Sequence, residues 1–187
     1  MSQEIDLAVV GAGPAGSSAA EVAAAAGISV WLIDKKSEIG SPVQCGGFLP
    51  EAGELEKLLP SAELPRALVD IPERIVLCRT SMQRIYSPSG SFKQFPVAGR
   101  VLDRRAFDRH LAYRAAIAGA RILPATRARL AEGQLQLSGR FRGTARPRII
   151  LGADGPHSTV SRAMGNPVQE TGICLEYEMV DVDIDPH

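Results

Sequence analysis

The sequence predicts an α/β fold in which antiparallel strands are added to a parallel sheet. Two observations carry this prediction. An apolar segment, a glycine-rich turn, an alanine-rich segment and a second apolar segment follow one another within residues 5–34, as in a β-α-β unit. Short β-rich segments with turn residues between them then occur over residues 73–95 and 121–151. The 187 residues suffice for one sizeable domain, or for one domain and part of a second.

The β-α-β unit begins with residues 5–10, which are apolar apart from Asp6, as expected for a parallel strand covered on both faces. Residues 17–26 are rich in alanine, the best helix former, and Gly27 is a typical helix stop. Residues 29–34 form the second predicted strand.

Three glycines lie between the first strand and the helix in the pattern Gly-x-Gly-x-x-Gly. Gly11 allows a tight turn, Gly13 lets the backbone approach a ligand, and Gly16 lets the helix pack closely. Such a turn leaves backbone N–H groups unpaired at the positive end of a helix, which suits a pyrophosphate. The pattern therefore predicts a dinucleotide site made by Gly11, Gly13, Pro14, Ala15 and Gly16.

An acidic residue, Asp34, ends the second strand, where a carboxylate can accept hydrogen bonds from a ribose diol. Its charge would repel a 2′-phosphate, which argues against NADP in this site. We predict that Asp34 and Lys35 belong to the site. The alternative is that Asp34 merely ends a strand in front of Lys35 and Lys36.

The middle of the chain predicts one minor helix and an antiparallel sheet. Leucines at helical spacing indicate a helix over residues 51–59, closed by Pro60. The turn at residues 87–90 lies between β-rich pieces at 75–78 and 94–95. We therefore predict an antiparallel sheet inserted into the α/β frame.

A second long helix follows, capped by Asp103 and running to about Ala118. Its buried stripe is Phe107, Leu111, Ala115 and Ala118. The strands predicted after it are residues 121–123, 135–137 and 148–151. Over residues 175–185 apolar and acidic residues alternate, and the parity changes between Met179 and Val180. This predicts a long strand with a bulge, and we expect the chain to stop inside a second domain.

Three segments resemble, in order, the para-hydroxybenzoate-hydroxylase-like superfamily of FAD-dependent oxidoreductases. They are Val10-Gly-Ala-Gly-Pro-Ala-Gly16, Arg104-x-x-Phe107-Asp108, and Gly152-Ala-Asp-Gly-Pro-His-Ser158 followed by Arg162. The resemblance implies a Rossmann-like FAD-binding domain in which Arg104 lies beside FAD. It also implies that Asp154 and Gly155 touch FAD and line the path of a donor, NAD(P)H, and it extends to Ser158 and Arg162. The alternatives are an exposed helix arginine at 104 and an ordinary turn at 154–155.

A further segment, Pro42-Val-Gln-Cys45-Gly46-Gly47, resembles the cysteine-glycine segment of geranylgeranyl reductases, which reduce isoprenoid double bonds. The resemblance implies that Gly46 and Gly47 let the backbone lie close to the flavin ring and that Cys45 faces the substrate. A reduced flavin would give hydride from N5 to one alkene carbon, and a proton would reach the other. The alternative is that Cys45 is a small buried residue on a turn.

These resemblances imply an FAD-dependent oxidoreductase, most like a geranylgeranyl reductase, with a lipid-like substrate. Residues 1–165 would be an FAD-binding domain that lacks its C-terminal part, residues 60–100 a β-rich insertion, and residues 166–187 the first strand of a truncated substrate domain. A flavin monooxygenase of aromatic or polyketide substrates stays open. So does a non-catalytic FAD-binding or electron-transfer module, because a second glycine-aspartate segment and the aromatic-proline segment of geranylgeranyl reductases are missing. We expect the chain alone to be inactive.

Composition argues against several other classes. The formal net charge is +0, so the chain as a whole does not attract nucleic acid. Residues 121–148 hold seven arginines and one acid, which we assign to a solvated hairpin because stacking aromatics are nearly absent there. No segment approaches the roughly 20 apolar residues of a membrane span, although peripheral membrane association stays open.

Cysteine and histidine usage predicts a cytoplasmic protein without a metal. The first residues lack the basic flank of a secretory signal, and the three cysteines suit neither a disulfide framework nor a zinc cluster. His110 and His157 stand apart from cysteines and carboxylates at metal-ligand spacing. The oligomeric state stays open.

Overall fold

A computed structural model describes residues 5–167, 170–177 and 181. The strands are β1 (Ile5–Val10), β2 (Val30–Ile33), β3 (Phe48–Pro50), β4 (Val76–Tyr86), β5 (Phe92–Leu102), β6 (Arg121–Leu123), β7 (Thr126–Ala131), β8 (Gln134–Gly139), β9 (Gly143–Ala145) and β10 (Pro147–Gly152). The helices are α1 (Pro14–Ala25), α2 (Ala52–Leu58), α3 (Arg66–Val69), α4 (Arg104–Ile117) and α5 (Thr159–Ala163), with a 3-10 turn at Glu73–Ile75. The chain divides into two units, Met1–Pro42 with Arg105–Ile173, and Val43–Arg104 with Cys174–His187.

The first unit is built on a four-stranded parallel sheet in the order β10-β1-β2-β6. Val10 lies beside Ile33 of β2 and Gly152 of β10, and Ile33 lies beside Leu123 of β6. The carboxyl ends of these strands therefore meet at one edge of the sheet. Along the chain, β1 is followed by β2 on one side of it and only later by β10 on its other side. The strand order therefore reverses at β1, and ligands of open α/β sheets bind at such a point.

Helix α1 covers one face of this sheet through small side chains. Ala20 and Ala24 are buried in a cluster with Val9, Val30 and Leu32 of the two adjacent strands. The helix begins at Pro14, three residues before the predicted start, because proline is well tolerated at the first helical position.

A three-stranded antiparallel sheet, β7-β8-β9, also belongs to the first unit. Its buried residues Ala128, Leu135 and Ala145 pack in a cluster with residues of β1. The parallel sheet and the antiparallel additions confirm the predicted fold class. The predicted strands at 121–123 and 148–151 lie in the parallel sheet, however, and β7 was not predicted because its Thr-Arg-Ala-Arg-Leu-Ala sequence has a weak β propensity.

The second unit holds an antiparallel sheet in the order β3-β5-β4, as predicted for an insertion of β type. Strands β4 and β5 have 11 residues each and are much longer than the predicted pieces. Register shifts between Val76 and Cys78 and between Thr80 and Met82 break the alternation that would have revealed their length. The predicted turn is formed, and Gly90 donates to Ser87 O at 3.0 Å.

The predicted tail strand is corrected in part. Residues 170–177 and 181 have no regular secondary structure, and the other residues of the predicted strand lie outside the described part of the chain. The division at residue 165 stays a prediction.

Candidate functional site

The glycine turn after β1 is held from two sides by the neighbouring strands. Gly11 N–H donates to Ile33 O at 2.8 Å, and Ala153 N–H donates to Val10 O at 2.8 Å. Gly11 has φ +104°, and a Cβ on it would lie 2.3 Å from Ala153 O. Position 11 therefore requires glycine both for its backbone conformation and for the close approach of the segment that follows β10.

Gly16 brings α1 into direct contact with this turn. A Cβ on Gly16 would lie 1.9 Å from Gly11 O and 3.1 Å from Ala153 Cβ. Gly16 itself is buried. Three backbone segments thus meet at the carboxyl end of β1 with no space for a side chain between them.

Gly13 differs from the other two glycines because it faces open space. No described atom lies within 4 Å of the position that its Cβ would take. It precedes α1 with φ −74° and ψ −176°, and Pro14 is the first helical residue. Within the described residues no side chain caps this helix end and no acid occupies its first turn. The first-turn N–H groups, which have no intrahelical acceptor, therefore remain available to an anion.

Asp34 binds the glycine turn through its carboxylate. Asp34 Oδ2 accepts a hydrogen bond from Ala12 N–H at 2.7 Å, and Oδ1 accepts one from Lys36 N–H at 2.8 Å. A carboxylate has about four acceptor positions, so two remain for hydroxyl groups. Asp34 thus orients the turn and can still bind a diol, while the Lys35 side chain beside it is exposed.

We expect Asp34→Asn to lower the free energy of unfolding by about 1–3 kcal/mol, because an amide cannot accept from both backbone N–H groups. Urea denaturation followed by circular dichroism measures this loss. Asp6→Asn is the matched control, since Asp6 accepts from Ser29 N–H and Arg148 at exposed positions. Equal losses in the two variants would contradict a special role of Asp34 in the turn.

Asp154 follows β10 and organises the start of α5. Its carboxylate accepts from Ser158 Oγ at 2.5 Å, from Thr159 N–H at 2.6 Å and from Thr159 Oγ1 at 2.8 Å. Burial raises the pKa of Asp154, but the hydrogen bonds from Ser158 and Thr159 outweigh this effect and hold the pKa below its ordinary value. Gly155 has φ +86°, and no described atom lies within 4 Å of the position that its Cβ would take.

The lowered pKa of Asp154 predicts a pH-dependent contribution to stability. The stabilisation is complete above the unfolded-state pKa, near 3.8, and is lost as the pH falls through the folded-state pKa. We expect Asp154→Asn to cost about 1 kcal/mol at neutral pH, with the difference from the wild type shrinking in acid. Denaturation at a series of pH values measures the difference in the free energy of unfolding between the variant and the wild type. Glu63→Gln is the control, because Glu63 is exposed. A difference that is constant with pH would contradict the role of the Asp154 carboxylate.

The remaining candidate residues belong to the second unit. The Cys45 thiol is exposed, so the alternative of a buried cysteine is wrong. Gly46 is exposed, whereas Gly47 is buried with φ +78°, and a Cβ on it would lie 2.3 Å from Leu102 O. Gly47 is therefore required by its contact with β5, whatever it does for a ligand. Arg104, the first residue of α4, is half-buried rather than an exposed helix arginine.

The structure thus brings one part of the predicted site together within the first unit. The segments of residues 11–16, 34–35 and 153–155 all follow parallel strands whose carboxyl ends share one edge. Sequence reasoning missed Ala12 as a donor to Asp34 and Ala153 as the neighbour of Gly11, and no local signal marks either residue. The described residues include no group of three or more potential metal ligands, and none of their helices is both long and apolar enough to cross a bilayer.

Comparison with known proteins places this site in a family. A family profile described as "NAD(P)-binding Rossmann-like domain" matches residues 9–46, which contain the glycine turn and Asp34. The "Uncharacterized protein in nifH2 5'region" of Methanosarcina barkeri is 49% identical over 86% of this chain and 87% of its own length. "Digeranylgeranylglycerophospholipid reductase 2" of Methanopyrus kandleri is 37% identical over 97% of this chain. The chain belongs to the geranylgeranyl reductase family.

Membership of the geranylgeranyl reductase family confirms the resemblance carried by the sequence motifs. A solved family member, the geranylgeranyl bacteriochlorophyll reductase-like protein of Thermoplasma acidophilum, is 32% identical with a TM-score of 0.62 over 82% of this chain and 40% of its own. The chain spans about half the length of the reductases it matches, 46% in the Methanopyrus protein.

Proposed function

We propose that the chain forms the FAD-binding part of a flavin-dependent reductase that acts on isoprenoid double bonds of a lipid. The observation that carries this proposal is the open space in front of Gly13 at an uncapped helix N-terminus, next to the Asp34 carboxylate. The relatives named digeranylgeranylglycerophospholipid reductases supply the substrate class. The geometry of the glycine turn and the names of the relatives together best support an oxidoreductase that acts on a lipid-like molecule.

In this proposal the residues of the first unit bind the pyrophosphate and the ribose of FAD. The N–H groups at Gly13, Ala15 and Gly16 hold the pyrophosphate, and Asp34 accepts from the ribose diol. Gly155 leaves room for the cofactor beside the turn that Asp154 maintains. When bound and reduced, the flavin supplies the hydride for the alkene.

The residues of the second unit contribute to the flavin and substrate side in this proposal. Arg104 lies beside FAD, Gly46 lets the backbone approach the flavin, and the exposed Cys45 thiol faces the substrate. NAD(P)H is the proposed electron donor. Unpaired, exposed thiols at Cys45, Cys78 and Cys174 suit a reducing compartment, so we place the protein in the cytoplasm.

Two measurements test the proposal in sequence. Equilibrium dialysis should show that FAD binds and that NADP, with its 2′-phosphate near Asp34, does not displace it. Turnover is tested in a protein of the relatives' full length that contains these residues, because we expect the chain alone to be inactive. Reduced with dithionite or NADPH in the presence of a digeranylgeranylglycerophospholipid, that FAD-loaded protein should yield a lipid with saturated isoprenoid chains. Failure to bind FAD contradicts the proposal. For the longer protein, a hydroxylated product favours a monooxygenase, and FAD binding without turnover favours a non-catalytic module.

A further inference from the structure

The small antiparallel sheet of the first unit has one buried face and one polar face. On β7 the exposed Arg127 and Arg129 alternate with the buried Ala128. On β9 the exposed Thr144 precedes the buried Ala145, and the exposed Arg146 directly follows the strand. Side chains of alternate residues point to the same side of a strand, so the arginines share the side away from the core.

The strand register joins these residues into one surface. Arg129 lies opposite Gln136, which lies opposite Thr144, and Arg127 lies opposite Ser138. Arg142 is exposed and directly precedes β9, and its Nε donates to Gly139 O at 3.0 Å, next to Ser138 at the end of β8. We call this surface the basic face; its members are Arg127, Arg129, Gln136, Ser138, Arg142, Thr144 and Arg146.

The positive charge of the basic face is not neutralised by the described part of the chain. The guanidinium groups of Arg127, Arg129 and Arg146 make no hydrogen bond or ion pair with described residues, and Arg142 Nε donates to Gly139 O. The acid nearest in sequence, Glu132, occupies the turn between β7 and β8. Although the whole chain has a formal net charge of +0, this face carries four cations and no anion.

We propose that the basic face docks on the phosphate headgroups of an anionic phospholipid bilayer. The inference rests on the proposed function, because a phospholipid substrate resides in a bilayer that the protein must reach. Guanidinium groups bind phosphate oxygens in a bidentate geometry, and the hydroxyl and amide groups between them are further donors. A single-stranded nucleic acid fits less well because it requires aromatic stacking, and the nearby Phe141 is partly buried beneath Arg121.

Sedimentation with vesicles tests the docking surface. The chain is mixed with vesicles of phosphatidylcholine alone or with about 30% phosphatidylglycerol, lipids that contain no isoprenoid. We expect binding to the anionic vesicles, with loss between about 0.1 M and 0.5 M salt because the contact is electrostatic. Each arginine at such a surface is worth about a fivefold change, so Arg127→Gln with Arg129→Gln should weaken binding on the order of tenfold or more.

The matched control removes the same charge elsewhere. Arg66 and Arg74 are exposed arginines of the second unit, and Arg66→Gln with Arg74→Gln should change vesicle binding by less than about twofold. Equal weakening by both pairs, equal binding to neutral vesicles, or preference for an RNA oligonucleotide would overturn the proposal. Dialysis with FAD distinguishes the two proposals. A chain that binds FAD but not the anionic vesicles refutes only the docking role of the basic face. A chain that binds the vesicles but not FAD refutes the proposed function.

Discussion

Replacing Gly13 by alanine is expected to lower the affinity for FAD about a hundredfold while leaving the protein folded. Alanine adopts φ −74° and ψ −176° without strain, and no described atom lies within 4 Å of the new Cβ. The methyl group would instead occupy the space in front of the helix N–H groups where we place the pyrophosphate. Loss of one or two charge-assisted hydrogen bonds, about 1.5–3 kcal/mol each, corresponds to this decrease.

Equilibrium dialysis with FAD, together with urea denaturation, measures both halves of this expectation. Alanine is a poorer residue than glycine before a helix, so up to about 1 kcal/mol of stability is lost. Gly53→Ala is the matched control, because Gly53 lies within α2 and also has no described atom within 4 Å of its Cβ position. That control should bind FAD with unchanged affinity. Unchanged affinity in the Gly13 variant would remove the pyrophosphate from this helix end.

Replacing Gly16 by alanine, three residues further on, is expected to unfold much of the first unit, whereas the Gly13 variant stays folded. The new Cβ would lie 1.9 Å from Gly11 O, which must move away. Gly11 cannot readily move, because its backbone is packed against Ala153 so closely that a Cβ on Gly11 would lie 2.3 Å from Ala153 O. The Gly11 N–H group is also hydrogen-bonded to Ile33 O. Helix α1 would have to shift from the sheet, and a loss of about 3 kcal/mol or more is expected.

Thermal and urea denaturation of Gly16→Ala, compared with Gly53→Ala, measures this loss. Gly53→Ala should be as stable as the wild type or slightly more stable, because alanine is the better helix former. A Gly16 variant with wild-type stability would show that α1 and the turn are not packed as closely as the structure shows. The two glycine variants together separate a residue needed for packing from a residue needed for binding.

Much of the first unit could be predicted because its signals are local. The apolar run at residues 5–10 coincides with β1, and Asp34 directly follows β2 as its position in the sequence suggested. Strand β7 and helix α5 were missed, since β7 depends on pairing with β8 and α5 on capping by Asp154 and Ser158. Strand pairing overrides the weak local propensity of β7, whereas the five-residue α5 depends on capping hydrogen bonds between residues three to five positions apart.

The candidate site likewise has a part with a local sequence signal and a part that depends on distant residues. The glycine turn is a short-range motif, so its presence could be predicted from residues 10–17. The contact of Gly11 with Ala153 and the bond from Ala12 to Asp34 depend on sheet order and register, which local sequence does not encode. The roles of Cys45, Gly46, Gly47 and Arg104 stay predictions that rest on family resemblance.

The neighbours β1 and β10 are far apart along the chain: the ion pair between Asp6 and Arg148 joins residues 142 positions apart. On the ribosome the β-α-β unit is finished early, yet the residue against which Gly11 rests is made much later. Pairing over such a separation forms slowly, and until then the turn lacks its support. Nascent chains arrested before Gly152 should therefore be cut readily by protease and retain no nucleotide, whereas chains extended past α5 should resist cleavage.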